Sequence, residues 1–278
     1  MSVPCVNVGG NWSNHGEVTH VVTRDTRWPA GTPCWVDVMV DDVPKAIAFY
    51  QALFGWDIQV GGPEVGGYSI AHKDGRIVAA VSPKMGQPDA PSTWTVYLAT
   101  DDVDATAAKI KGAGGQLLAG PMDVMEEGRM AVAMDPAGAV FGLWQGGHTT
   151  GIGVANEPDT LSWNEHLSRD FDGSKAFYQA VFGYGYQDMS GDGFTYAMLM
   201  VDGHEVGGIG EYPEGTPAQV PAAWGAYFAV TDADAAVAKV TELGGSVVQP
   251  VRDSPYGPIG VVADNHGAVF SLVTPPFS

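Results

Sequence analysis

Cysteine is nearly missing from this 278-residue chain: Cys5 and Cys34 are the only two, which excludes a disulfide framework and a thiolate metal centre. Basic residues are scarce as well. Only 13 Lys and Arg stand against 32 Asp and Glu, a net charge of −19, so no cationic stripe exists to neutralise phosphates. Nucleic acid and anionic membranes are therefore excluded as partners. No apolar run approaches the length of a membrane span, and the first residues lack the basic start and apolar stretch of a secretion signal. A cytoplasmic protein is the expectation. The 38 glycines include no G-x-x-x-x-G-K phosphate loop. Charged residues make up 16% of the chain and hydrophobic ones 45%, enough to build buried cores.

What the chain does have is a repeat. The stretch CWVDVMVDDVPKAIAFYQALFGW at 34–56 returns as SWNEHLSRDFDGSKAFYQAVFGY at 162–184, an offset of 128 residues from Ala48 to Ala176. Each copy opens on a strand in which a Trp and a carboxylate share one face, Trp35 with Asp37 and Trp163 with Glu165, because strand side chains alternate. Asp42 then supplies a helix cap, Pro44 an early helical position, and Ala46, Phe49, Tyr50 and Leu53 an apolar stripe that Gly55 ends. Short strands follow near 57–60, 68–73 and 77–82, with Asp74-Gly75 as a hairpin turn. The same order returns within each half. A strand at 94–100, a helix at 101–115 and strands near 116–119, 129–134 and 139–145 have counterparts in WGAYFAVTDADAAVAKVTELGG (224–245) and ADNHGAVFSLV (263–273).

The reading is thus an α+β protein of four βαβββ units in two tandem domains, 31–147 and 160–278, joined by a Gly, Thr, Asn and Pro linker at 148–159. Residues 1–30, with His15 and His20, read as an extended arm. Cys34 aligns with Ser162 and reads as a small filler.

These units, the AFY-type helix, the DD-initiated second helix ending in GG, and the D-P-x-G-x-x-x-x-L end strand resemble the vicinal oxygen chelate superfamily. That group includes glyoxalase I, extradiol dioxygenases, fosfomycin-modifying enzymes and bleomycin-resistance proteins. The likeness spans about 31–275 and is nearest to two-repeat actinobacterial glyoxalase-like proteins, often labelled hydroxylases and associated with aromatic polyketide pathways. The resemblance implies that each unit curves its mixed sheet into a cup and that paired units enclose a cavity. Metal-dependent members place a His, Gln or Glu ligand on a cup-facing position of each unit. Here those positions fall on Trp35 and Trp163, Thr95 and Gly225, Gly142 and Ser271, and near Ala79 or Ala80 and Gly207 or Gly208. No usual ligand set results, so neither a metal nor another cofactor is expected.

In place of ligands the cups are expected to hold an apolar pocket. Asp37 and Glu165 are the candidate catalytic carboxylates, and Trp35, Trp163, Met39, Tyr97, Tyr227, Arg129 and Trp144 the candidate ligand-binding residues. Indole and phenol faces favour planar aromatic or cationic ligands, and the small residues at the other positions are expected to leave room for one. With Arg129 the basic residue of the predicted cup strands, and Pro258 in its place in the other copy, a buried carboxylate without a cation has a raised pKa suited to proton transfer. The alternative is that the Trp residues are packing and the carboxylates merely hydrogen-bonded. His166 points away from the face of Glu165 and reads as structural, and His72 could reach a cup in one half only. The functional expectation is a metal-independent protein, monomer or homodimer, that assists acid/base chemistry on an aromatic or polycyclic metabolite; a non-catalytic sequestering protein is the alternative.

Overall fold

In the computed structural model, residues 21–84 and 89–276 are described; Cys5, His15, His20 and most of the expected arm lie outside them. The described end of the arm is not merely extended. Strand β1 (Val22–Thr23) pairs antiparallel with β10 (Val154–Ala155) inside the expected linker.

The first half runs β2 (Pro33–Val40), α1 (Val43–Phe54), β3 (Asp57–Gln59), β4 (Ser69–Lys73), β5 (Arg76–Pro83), β6 (Thr93–Ala99), α2 (Val103–Gly112), β7 (Gln116–Val124), β8 (Gly128–Met134) and β9 (Val140–Gly146). The second runs β11 (Leu161–Ser168), α3 (Phe171–Phe182), β12 (Gly185–Asp188), β13 (Tyr196–Val201), β14 (His204–Glu211), β15 (Ala223–Ala229), α4 (Ala233–Glu242), β16 (Ser246–Arg252), β17 (Ile259–Ala263) and β18 (Val269–Val273). Four aspartates start the four helices: the side chains of Asp42, Asp102, Asp170 and Asp232 each accept from a backbone N–H three residues on, satisfying one of the donors that a helix leaves free. Gly55 ends α1 with φ 69° and its N–H on Gln51, a left-handed cap that a side chain would disfavour.

The two units of a half share one sheet. In the first half the strand order is β3-β4-β5-β2-β6-β9-β8-β7, and in the second β12-β13-β14-β11-β15-β18-β17-β16. Each sheet is joined at its centre by an antiparallel pair, β2 with β6 and β11 with β15. The residues of interest sit on these central strands, which puts Trp35 opposite Tyr97 and Asp37 opposite Thr95. The equivalent pairs are Trp163 with Tyr227 and Glu165 with Gly225.

The opposite, helix-bearing faces of the two sheets pack against each other through aromatic rings. Between ring centroids, Trp94 lies 5.0 Å, Phe54 5.2 Å and Trp56 5.7 Å from Phe228 of the other half. Buried hydrogen bonds cross this interface in matched pairs. The Tyr50 hydroxyl donates to Asp264 at 2.7 Å and the Tyr178 hydroxyl to Asp135 at 3.0 Å, while the indoles of Trp94 and Trp224 donate to those hydroxyls. His166 breaks the symmetry: it is fully buried, and its Nε2 lies 2.7 Å from Asp135. It therefore serves the interface, on the face away from Glu165, where the first half has Val38. Strand alternation follows: with Trp94 and Trp224 at the interface, Thr95, Tyr97, Gly225 and Tyr227 must look the other way, into the concave faces.

Candidate functional site

In the first concave face one carboxylate gathers two phenols and an indole. Asp37 Oδ2 accepts from the hydroxyl of Tyr97 at 2.9 Å and from that of Tyr68 at 2.9 Å, and the Tyr68 hydroxyl accepts from the Trp35 indole at 2.8 Å. Asp37 is 4% exposed, and its Oδ1 closes no hydrogen bond among the described residues. Burial lifts its carboxyl from 3.8 to about 6, against the lowering by Tyr68, Tyr97 and, more weakly, the facing Thr95 side chain. No cation contributes. The carboxylate in turn holds both phenols well above their ordinary range, after burial itself.

The second concave face repeats the arrangement. Glu165 accepts from Tyr196 on Oε2 at 3.1 Å and from Tyr227 on Oε1, and Tyr196 accepts from the Trp163 indole at 3.1 Å. The added methylene of Glu spreads the two phenols over two oxygens, where Asp37 takes both on one. Burial again raises the carboxyl, with Tyr227, Tyr196 and the charge of Arg252 pulling it back.

Most of the candidates from sequence thus meet around the two carboxylates. Trp144 stacks on Trp35 with centroids 6.4 Å apart and planes 25° apart, and Met39 is half-buried farther along the same face of β2. Arg129 does not join them. Its guanidinium is held by Asp104 at 2.8 Å and Asp123 at 2.7 Å, and because Asp104 lies on α2 the side chain points to the helical face. The reason is strand parity: Met130, one residue on, is the one opposite Trp144. Nor is Arg129 the basic residue that matters to a cup, since Arg252, at the end of β16 and where register puts Met122 in the first half, acts on Glu165. Arg76 also belongs to a cup-sheet strand, paired with Asp25 and not with a cup carboxylate. His72 is half-buried, and its Nδ1 has no hydrogen-bond partner among the described residues. The Cys34 thiol is fully buried and pushed far up by that burial, which suits a filler.

Sequence reasoning missed Tyr68 and Tyr196, which complete both clusters. A signal existed: they are separated by the 128 residues that relate the repeats.

The small residues do not leave the expected room. A Cβ at Gly142 would overlap the ring of Tyr97, and one at Gly208 would overlap the hydroxyl of Tyr196. Phenol rings therefore cover two of the positions where resembled proteins place ligands. Those positions do not fit a metal, and among the described residues no three His, Cys, Asp or Glu side chains are grouped to hold one. The close approach makes Gly142 sensitive: Gly142→Ala is expected to displace Tyr97, break its bond to Asp37 and cost about 1–3 kcal/mol by overpacking. Urea denaturation against Gly185→Ala in β12, whose added Cβ meets nothing closer than 3.5 Å, checks the attribution to crowding.

An open cleft of about 440 Å³ beside the second cup is lined by residues that include Phe194, Tyr212, Glu211 and Glu214, and Phe194 belongs to the apolar cluster that Trp163 covers. Among the described residues no helix is long and apolar enough to cross a membrane.

Comparison with known proteins places this geometry. The family model described as "Glyoxalase/Bleomycin resistance protein/Dioxygenase superfamily" matches residues 33–143 and 165–272. The chain is 41% identical over 258 residues to CFP32 of Mycobacterium tuberculosis, provisionally named a glyoxylase, covering 91% of this chain and 98% of that protein. It is 38% identical over 262 residues to the anthracycline biosynthesis protein DnrV of Streptomyces peucetius, covering 89% and 94%. Among solved structures it is similar to a Mn(II)-bound glyoxalase from Novosphingobium aromaticivorans, at a TM-score of 0.62 and 17% identity over 90% of this chain and 83% of that one. The 2,3-dioxygenase LapB from Pseudomonas sp. KL28 gives a TM-score of 0.61 at 14% identity, covering 88% and 93%. At such identities the structural likeness is one of fold.

Proposed function

Because the chain belongs to the glyoxalase/bleomycin resistance protein/dioxygenase superfamily, whose members differ in what lines each cup, we propose that it binds an aromatic or polycyclic metabolite and moves a proton on it without a metal. The observation that carries this reading is the cluster of a buried carboxylate, two phenols and an indole, present once in each half. A carboxyl whose pKa is raised by burial exchanges a proton near neutral pH more readily than an exposed one. Asp37 and Glu165 are the acid/base groups in this reading, and Trp35, Trp163, Met39, Tyr97, Tyr227 and Trp144 the walls, with Tyr68 and Tyr196 holding the carboxylates in place. The relative named for anthracycline biosynthesis supports a fused-ring aromatic as the ligand class. The halves 31–147 and 160–278 act as two domains across the linker 148–159, in a cytoplasmic monomer or homodimer.

Deuterium incorporation into an anthracycline aglycone in heavy water tests the proton step. Glu165→Gln or Asp37→Asn is expected to slow exchange by about 10²-fold or more, in the range of general acid–base contributions. Full exchange in both variants would sink the catalytic role. One observation favours a sequestering protein as second reading: both oxygens of Glu165 are already taken by phenols. Recovery of the bound aglycone without deuterium identifies that case.

A further inference from the structure

The two cups are built alike but not filled alike. In the first, the indole of Trp144 lies against that of Trp35, and both are nearly sealed, at 8% and 5% exposure. Trp35, Tyr97 and Trp144 belong to the continuous core of the molecule. Register identifies the residue that stands in Trp144's place in the second half: Trp144 pairs with Ala99 on β6, and Val273 with Ala229 on β15. Valine cannot cover an indole face. Trp163 is accordingly half-buried where Trp35 is sealed, and the lining of the second cup divides into two small apolar clusters that meet at Trp163, one around Tyr227, Val261 and Val273 and one around Phe194, Tyr196 and Met198.

We infer that the second cup alone receives the ligand, a planar fused-ring aromatic whose ring lies on Trp163 as the indole of Trp144 lies on Trp35. The first cup carries its own aromatic occupant and acts as a filled scaffold. The inference rests on the proposed function, and it narrows that proposal to Glu165, Tyr196 and Tyr227 as the groups within reach of the ligand. Ring stacking on an aromatic platform tolerates many substituents, because every flat ring offers a π-face, so the class of ligand is set by planarity.

Titration calorimetry of the full chain with quinizarin, a planar hydroxyanthraquinone, tests this. Wild-type protein is expected to bind one molecule. Val273→Trp fills the second cup in the manner of the first and is expected to weaken binding tenfold or more. Trp163→Leu, which removes the platform without adding bulk, is expected to do the same, and guards against a Val273→Trp chain that does not fold. Trp144→Val opens the first cup and is expected to raise the stoichiometry to two. Wild-type affinity in both Val273→Trp and Trp163→Leu, or two sites in wild type, overturns the inference and leaves the proposed function standing. No binding by wild type or by Trp144→Val overturns the proposed function and the inference with it.

Discussion

Asp135→Ala is expected to destabilise the protein by about 3–5 kcal/mol, the usual cost of removing one partner of a buried charged pair. Asp135 is 2% exposed and takes the His166 ring at 2.7 Å, the Tyr178 hydroxyl at 3.0 Å and the backbone N–H of Ala139 at 2.8 Å. Alanine strands all three donors inside the interface between halves. The matched change Asp264→Ala removes the acceptor of the Tyr50 hydroxyl and of the backbone N–H groups of His266 and Ala268, but no imidazole ring meets that carboxylate, so about 1–3 kcal/mol is expected. Urea denaturation of the two variants measures the difference, and equal losses would show that His166 adds nothing. The pH dependence has a definite sign. Burial pulls the Asp135 carboxyl up, yet the hydrogen bond and charge of His166, with Ala139 and Tyr178, hold it below 3.8. Its contribution is present above 3.8 and is lost as pH falls through the depressed value.

Asp37→Asn is expected to act in the opposite sense and stabilise the chain above pH 6. The native carboxyl titrates at about 6 against 3.8 for an ordinary one, so the folded protein binds the proton more tightly between those values. The stability this adds is complete below 3.8 and is lost as pH rises through about 6. The loss amounts to about 3 kcal/mol at 1.36 kcal/mol per unit of pKa. Asparagine cannot ionise, so the fall in stability across this window should flatten, and at pH 8 the variant should exceed wild type. Thermal and urea unfolding from pH 4 to pH 8 reads the result; an unchanged slope would show that Asp37 is not the ionising group.

The two cases separate what is legible at each level. The four units were legible because aspartate caps, glycine stops and alternating strands are local and repeat at a fixed offset. The same local rule put Trp35 with Asp37 and Trp163 with Glu165 on one face. It could not say which neighbours those faces would meet. Tyr68 precedes β4 by one residue and reaches Asp37 on β2 across β5, so its role depends on strand order. The fate of Gly142 and Gly208 depends on phenol rings from other strands, and the difference between Trp144 and Val273 has meaning only once register aligns them.

The sequence by itself determined the fold class, the repeat and the two carboxylate strands, since each follows from the period of a strand or helix over a few residues. Tertiary structure alone decided that two units share each sheet, that Asp135 and His166 serve the interface, and that Arg129 turns to Asp104 and Asp123 away from the cups. It also decided that one cup is closed by its own indole while the other leaves Trp163 half-covered. Apart from Arg129 with Asp123, these are contacts between residues tens of positions apart, and their energies depend on burial and on cross-strand register, neither of which any single stretch of chain contains.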